Sequence, residues 1–379
     1  MKRLGLWGAV PAALAAGAAL VLLLAWSSPR GDDEAPAGYL LGLAAVSGPW
    51  MVAAAILWYA ASRWVGVRMS GVDGPARVLA LAVATLPTER RDWGAAMTAE
   101  LEQVTTDRWR FALGCTRTAL FPPRGNRAPA LVVAGGTVVL AVVTALVVHR
   151  ALPGMRLFAV VFVGIVGLLA TVGVARSWRV RRPGHAKALM VVGGGAVAAG
   201  VGVTGYDLSR DPAASLGTGP AVWLALLLGM GLWLSVAPPR SLTTSRLARW
   251  TGLGAGVTLA ATVFVAARTN DGGGILFVPL VVSIGVVLVA ALVVARLERS
   301  FAAGLQSMVW TVTIAGLLGF AIWVFEAMRW SAAHGTSLLD GAAGGGHVRD
   351  AIVWILFAVP LVALPFGVIG AAVGSLARR

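Results

Sequence analysis

The sequence predicts an all-α, polytopic membrane protein of about ten transmembrane helices, N-terminus and C-terminus inside, with a small cytoplasmic helical subdomain. Three observations predict it. Of 379 residues, 58% are hydrophobic and only 12% are charged, against a usual charged share of about 25%. Apolar runs of about 20 residues recur along the chain, without the period-two alternation of a membrane barrel. The 31 Lys and Arg residues then fall mainly on one side once those runs are threaded through a bilayer. The same figures exclude disorder, whose signature is low hydrophobicity. A net charge of +15 would suggest nucleic acid in a soluble chain, but at this hydrophobicity it does not, and no nucleic-acid partner is expected.

The runs lie near residues 4–26, 39–62, 128–148, 157–175, 186–205, 220–237, 251–267, 275–295, 308–325 and 351–374. Only helices satisfy their own backbone inside hydrocarbon, so each run reads as a helix. Alternation from an inside N-terminus puts 24 Lys and Arg residues inside and 7 outside. Acidic residues split 7 inside and 9 outside, so the inside is strongly positive, as the cytoplasmic face of a membrane should be. This implies a multi-pass protein of the cell inner (cytoplasmic) membrane. Residues 1–26 could also be read as a cleaved signal peptide. Their apolar stretch exceeds an ordinary signal core and lacks a clear A-x-A site, which favours a retained span.

The chain divides into a two-span part (1–63), a cytoplasmic helical subdomain (64–127) and an eight-span part (128–379). The last contains a candidate pair of four-span repeats, 128–250 and 251–379, each with a longer outside loop between its third and fourth spans. Gly252/Gly256 and Gly370/Gly374 are GxxxG pairs, and Gly195/Ala199 is a small-xxx-small pair. Such pairs let helix backbones approach closely, and packing within the chain is the expected use. Trp7, Trp26, Trp64, Trp178, Trp250 and Trp330 lie near span ends, as interfacial anchors do.

The cytoplasmic subdomain is the most informative stretch. Residues 78–86 are too short to span and read as an interfacial or partly buried helix. Thr88 is a plausible N-cap for a second helix, with Glu89 and Asp92 in its first turn. On it, Trp93, Met97, Leu101 and Val104 recur at helical spacing as one apolar stripe. Thr105, Thr106 and Asp107 mark a break, and a third helix follows with Trp109, Leu113 and Leu120 beside Arg108, Arg110 and Arg117. Two readings compete. In one, the hairpin buries its stripe at home and sets its arginines near anionic inner-leaflet headgroups. In the other, the segment docks a cytosolic or membrane protein partner, with the Trp93/Met97/Leu101 stripe as anchor. Candidate contact residues for partner or leaflet are Arg90, Arg91, Trp93, Met97, Leu101, Trp109, Arg110 and Arg117.

The string from Glu89 to Leu101, ERRDWGAAMTAEL, and the string RWRFALGCTR from Arg108 to Arg117 together resemble a segment of uncharacterised actinobacterial multi-span integral membrane proteins. The shared pattern is RRxWxxAMxAEL followed by RFALGCxR. The resemblance implies an inner-membrane setting and brings no activity with it.

Catalytic signatures are missing from the sequence. It has no Walker A pattern and no HExxH spacing. His334, Asp340, His347 and Asp350 gather in one outer loop, but a metal needs three or four ligands converging, and the run 341–346 reads as a flexible loop. Ser337, Asp340 and His347 lack a nucleophile-elbow pattern. No ionisable residue falls near a span centre; Asp207, Asp211, Glu326 and Asp350 sit at outer ends. Cys115, the single cysteine, reads as a small buried residue in a reducing compartment. No catalytic, cofactor or metal site is expected. The expected function is therefore a scaffold, sensor or accessory subunit acting through the cytoplasmic segment. The alternative is a permease or flippase-like transporter of an apolar or lipid-like substrate.

Overall fold

A computed structural model describes residues 2–27, 36–69, 73–84, 86, 91–120, 127–175, 184–210, 216–236, 238, 242–269, 277–336, 338 and 346–376. Among these residues the chain is helical, with no strand. Two helices open it, α1 (Lys2–Ser27) and α2 (Pro36–Met69). Three short ones follow: α3 (Gly74–Ala84), α4 (Arg91–Gln103) and α5 (Arg108–Leu120). Then come α6 (Arg127–Ala151), α7 (Arg156–Ala175), α8 (Gly184–Arg210), α9 (Thr218–Val236), α10 (Arg246–Thr269), α11 (Phe277–Leu297) and α12 (Phe301–His334). The last span joins α13 (His347–Ala351), a π-helical turn (Ile352–Ala358) and α14 (Val359–Leu376) into one rod. Pro360, just past that turn, has no N–H for the carbonyl four residues back, and the Val359 N–H bonds instead to Trp354 O, five back.

Nine helices among the described residues are long and apolar enough to cross a membrane. The described apolar part of α1, Ala9–Leu22, is shorter than such a span and lies within a helix of 26 residues. The fold is thus an all-α polytopic bundle, as the sequence predicts.

α12 is the hub. Its 34 residues pack against α8, α10, α11 and α14. It extends well past the expected 308–325 at both ends. Ser300 caps its start by accepting the Ala303 N–H, and Gly335, at φ 70, closes its end with a bond to Ser331 O. The two GxxxG pairs are spent inside the chain. Gly252 and Gly256 of α10 lie against Ser307, Trp310, Thr311 and Ile314 of α12, and Gly370 and Gly374 of α14 lie on the Leu288 and Leu292 carbonyls of α11. Gly195, by contrast, faces open space.

Both ends of the hub are tied by polar side chains. At one end Gln306, buried, accepts the Ser245 N–H at 3.1 Å and donates to the Thr244 hydroxyl, while Trp310 Nε1 donates to Leu242 O at 2.9 Å. Ser245 also donates to Glu298 and caps α10 through the Ala248 N–H. Residues 242–249 and 296–299, both expected inside, therefore meet. At the opposite end Arg268 and Arg329, both expected outside, close on Glu326. Glu326 lies deeper than its place at a predicted span edge suggested: it is 1% exposed and about 12 Å short of the helix end.

Candidate functional site

The segment between α2 and α6 folds into a three-helix unit with a core of its own. Leu79 and Ala82 from the first helix, with Leu86 just past its end, meet Met97 and Leu101 from the second and Ala112 and Ala119 from the third. Gly94 sets how closely α3 and α4 pack, since a Cβ there would stand 2.6 Å from Val83 Cγ1. One arginine ties all three helices. Arg108, the first residue of α5, bonds through Nε to Asp73 Oδ2 at 2.8 Å, and through Nη1 to Leu101 O and Val104 O at 2.7 Å each. Those carbonyls belong to the end of α4, where a cation is favoured. Asp73 in turn caps α3 by accepting the Ala76 N–H at 3.2 Å.

The Arg108 hydrogen bond holds the Asp73 carboxyl below its ordinary value. A lowered folded-state pKa makes this tie present above the usual carboxylate range, and it is lost as pH falls through the lowered value. Burial, then the nearby Glu100 charge, pushes the half-buried Cys115 thiol up, which keeps it protonated and slow to react.

α5 has two faces. At 100° per residue, Phe111, Ala112, Cys115 and Ala119 fall on one arc and turn toward the core. Trp109, Arg110, Leu113 and Arg117 fall on the opposite arc and are exposed, Trp109 by 53% and Leu113 by 54%. Trp109 also lies over Gly74, where a Cβ would stand 2.8 Å from the six-membered ring of the indole. The outward face therefore joins an indole and a leucine to two guanidiniums.

The stripe on α4 is divided. Met97 and Leu101 are 5% and 0% exposed and belong to the inside of the unit, so they offer nothing to a partner or a leaflet. Trp93, at the edge of the same stripe, is 37% exposed. The reason is Gly94: lacking a side chain, it draws α3 onto that side, and the inward arc centres on Gly94, Met97 and Leu101 rather than on Trp93. Leu113 was missed as a contact residue, although its position four after Trp109 placed it on the same face. Arg90, Thr88 and the Arg91 side chain lie outside the described residues.

Elsewhere, no group of His, Cys, Asp or Glu able to hold a metal occurs among the described residues. Ser337, Asp340 and Asp211 lie outside them. A cleft lined by Leu259, Val263, Pro279, Ser283, Ala315, Ile355 and Val359 has a free volume of 10 Å³, space for about one water molecule. Comparison with protein-family models, with curated proteins and with solved structures finds no match to the chain.

Proposed function

We propose that this chain is a non-enzymatic protein of the cytoplasmic membrane, a scaffold, sensor or accessory subunit, that engages a partner protein through the outward face of α5 and the exposed Trp93 of α4. One observation carries the reading: the α3–α5 unit satisfies its own core, yet leaves Trp109 and Leu113 exposed on the same face as Arg110 and Arg117. Trp and Arg are the residue types that dominate binding energy at protein interfaces. A soluble-side helix with no partner would carry polar residues there. The resemblance to actinobacterial membrane proteins rests on α4 and α5, the same helices this reading uses.

Trp93→Ala combined with Trp109→Ala is expected to abolish co-purification of a specific protein in mild detergent while the unit stays folded. Leu101→Ala is the contrasting control: it opens a core cavity and costs about 2–5 kcal/mol of subdomain stability. Recovery of the wild-type chain alone, with only lipid attached, would favour the inner leaflet as the contact and count against the proposal. The transporter reading draws on a different observation. The cleft between α10, α11 and α12 lies against the π-helical turn, a feature often found at functional sites.

A further inference from the structure

We infer that Arg268 and Arg329 form a binding site for the phosphate of an anionic phospholipid, at the end of the bundle where α10 and α12 terminate. On the expected topology this is the outer leaflet, away from the α3–α5 unit, so the inference stands apart from the proposed function. The fully buried Glu326 side chain receives Arg268 through Nε at 2.8 Å and Nη2 at 2.9 Å, and Arg329 through Nε at 2.6 Å. One carboxylate faces two cations, so one positive charge is left over. Among the described residues neither arginine has another polar partner, which leaves Nη1 of Arg268 and both Nη atoms of Arg329 as donors. Their side chains are 42% and 37% exposed, so these donors are open to a ligand. Held by their edges against a buried carboxylate, the guanidiniums are already oriented, and little side-chain freedom remains to be lost on binding. A phosphate diester, whose single negative charge is shared by two free oxygens, can accept from Nη1 of Arg268 and the Nη pair of Arg329.

The residue one turn below each arginine selects a lipid over a free anion. Phe264 precedes Arg268 by four residues and Phe325 precedes Arg329 by four; both rings are exposed. Residues four apart share a helix face, so each helix shows a ring at acyl-chain depth and a guanidinium at headgroup depth. The Arg268 guanidinium lies 5.1 Å above the Phe264 ring. Arg210 lies over Tyr206 at the same end of α8, and Trp330 stacks on His334, as interfacial aromatics do.

The test uses the full chain in neutral detergent, with phosphatidylglycerol or phosphatidylcholine added and bound lipid counted by native mass spectrometry. The wild type is expected to retain phosphatidylglycerol about fivefold better than phosphatidylcholine. Arg329→Gln keeps the forked Arg268–Glu326 bridge, and so the packing of α10 on α12, but should lose that preference. Phe264→Ala with Phe325→Ala should weaken phosphatidylglycerol retention, while excess inorganic phosphate should displace it poorly. Equal retention of the two lipids by the wild type, or an unchanged preference in Arg329→Gln, overturns the inference. Displacement by inorganic phosphate, with the phenylalanine variant unaffected, overturns it in favour of a free-anion site. If Arg329→Gln does not fold, Arg329→Lys and a salt titration of the wild type decide: preference must survive the lysine and fall with salt.

Discussion

Glu326→Ala is expected to lower the stability of the bundle by about 2–4 kcal/mol, read as a lower unfolding midpoint in detergent. The substitution removes one small carboxylate, but it strands two cations. Glu326 is the shared partner of Arg268 and Arg329, and its side chain is wholly buried. Without it, two like charges face each other across α10 and α12 where an attractive bridge stood. The arginines are partly exposed and can swing toward water, which places the effect below that of a fully buried pair. The same logic gives a non-additive outcome. Glu326→Ala with Arg268→Ala should be more stable than the single Glu326→Ala variant, because the second change removes a stranded charge.

Gly374→Leu is expected to part α14 from α11 and to cost about 3 kcal/mol, or to prevent accumulation of folded protein. The neighbour of the missing Cβ is the Leu292 carbonyl oxygen, a backbone atom that cannot rotate away. Gly370 meets Leu288 O in the same manner one turn earlier, so relaxation on one side tightens the other. Gly195→Leu provides the contrast. That position faces open space, and its substitution should leave the unfolding midpoint unchanged within error. Comparison of the two variants separates close packing from a general cost of bulk in a membrane helix.

These residues also show how far the sequence could be read. Spans were legible because a helix crossing hydrocarbon must be apolar for its whole length, and nothing else in the chain imitates that. The two GxxxG pairs announced close approach, and both are used within the chain. Their partners were not legible, since small residues specify a distance and not an identity. α12 was read 16 residues short because Gln306, Ser307, Glu326 and Arg329 interrupt its apolar character. Gln306 and Glu326 are compensated by Ser245 and Arg268, some 60 positions away in sequence, and no local pattern reveals such a pairing.

The candidate site divides along a similar line. Periodicity found the α4 stripe but could not say which way it faced. Direction depended on Gly94, whose missing side chain lets Val83 and Leu86 settle against that side of the helix. On α5 the polar and apolar residues are mixed, so its outer face was only weakly marked in the pattern. Packing sorted them, turning Cys115 inward and Trp109, Leu113 and Arg117 outward.

The outward face of α5 is expected to meet a protein. The segment from Asp73 to Leu120 contains no lysine, so amine-reactive reagents would not report on it. A photoreactive amino acid placed at Leu113, irradiated in living cells, is the direct measurement. One discrete crosslinked protein is expected, lost when Trp109 is replaced by alanine and absent when the probe is placed at the buried Ala112. Crosslinks to lipid alone, or the same products from both positions, would contradict it.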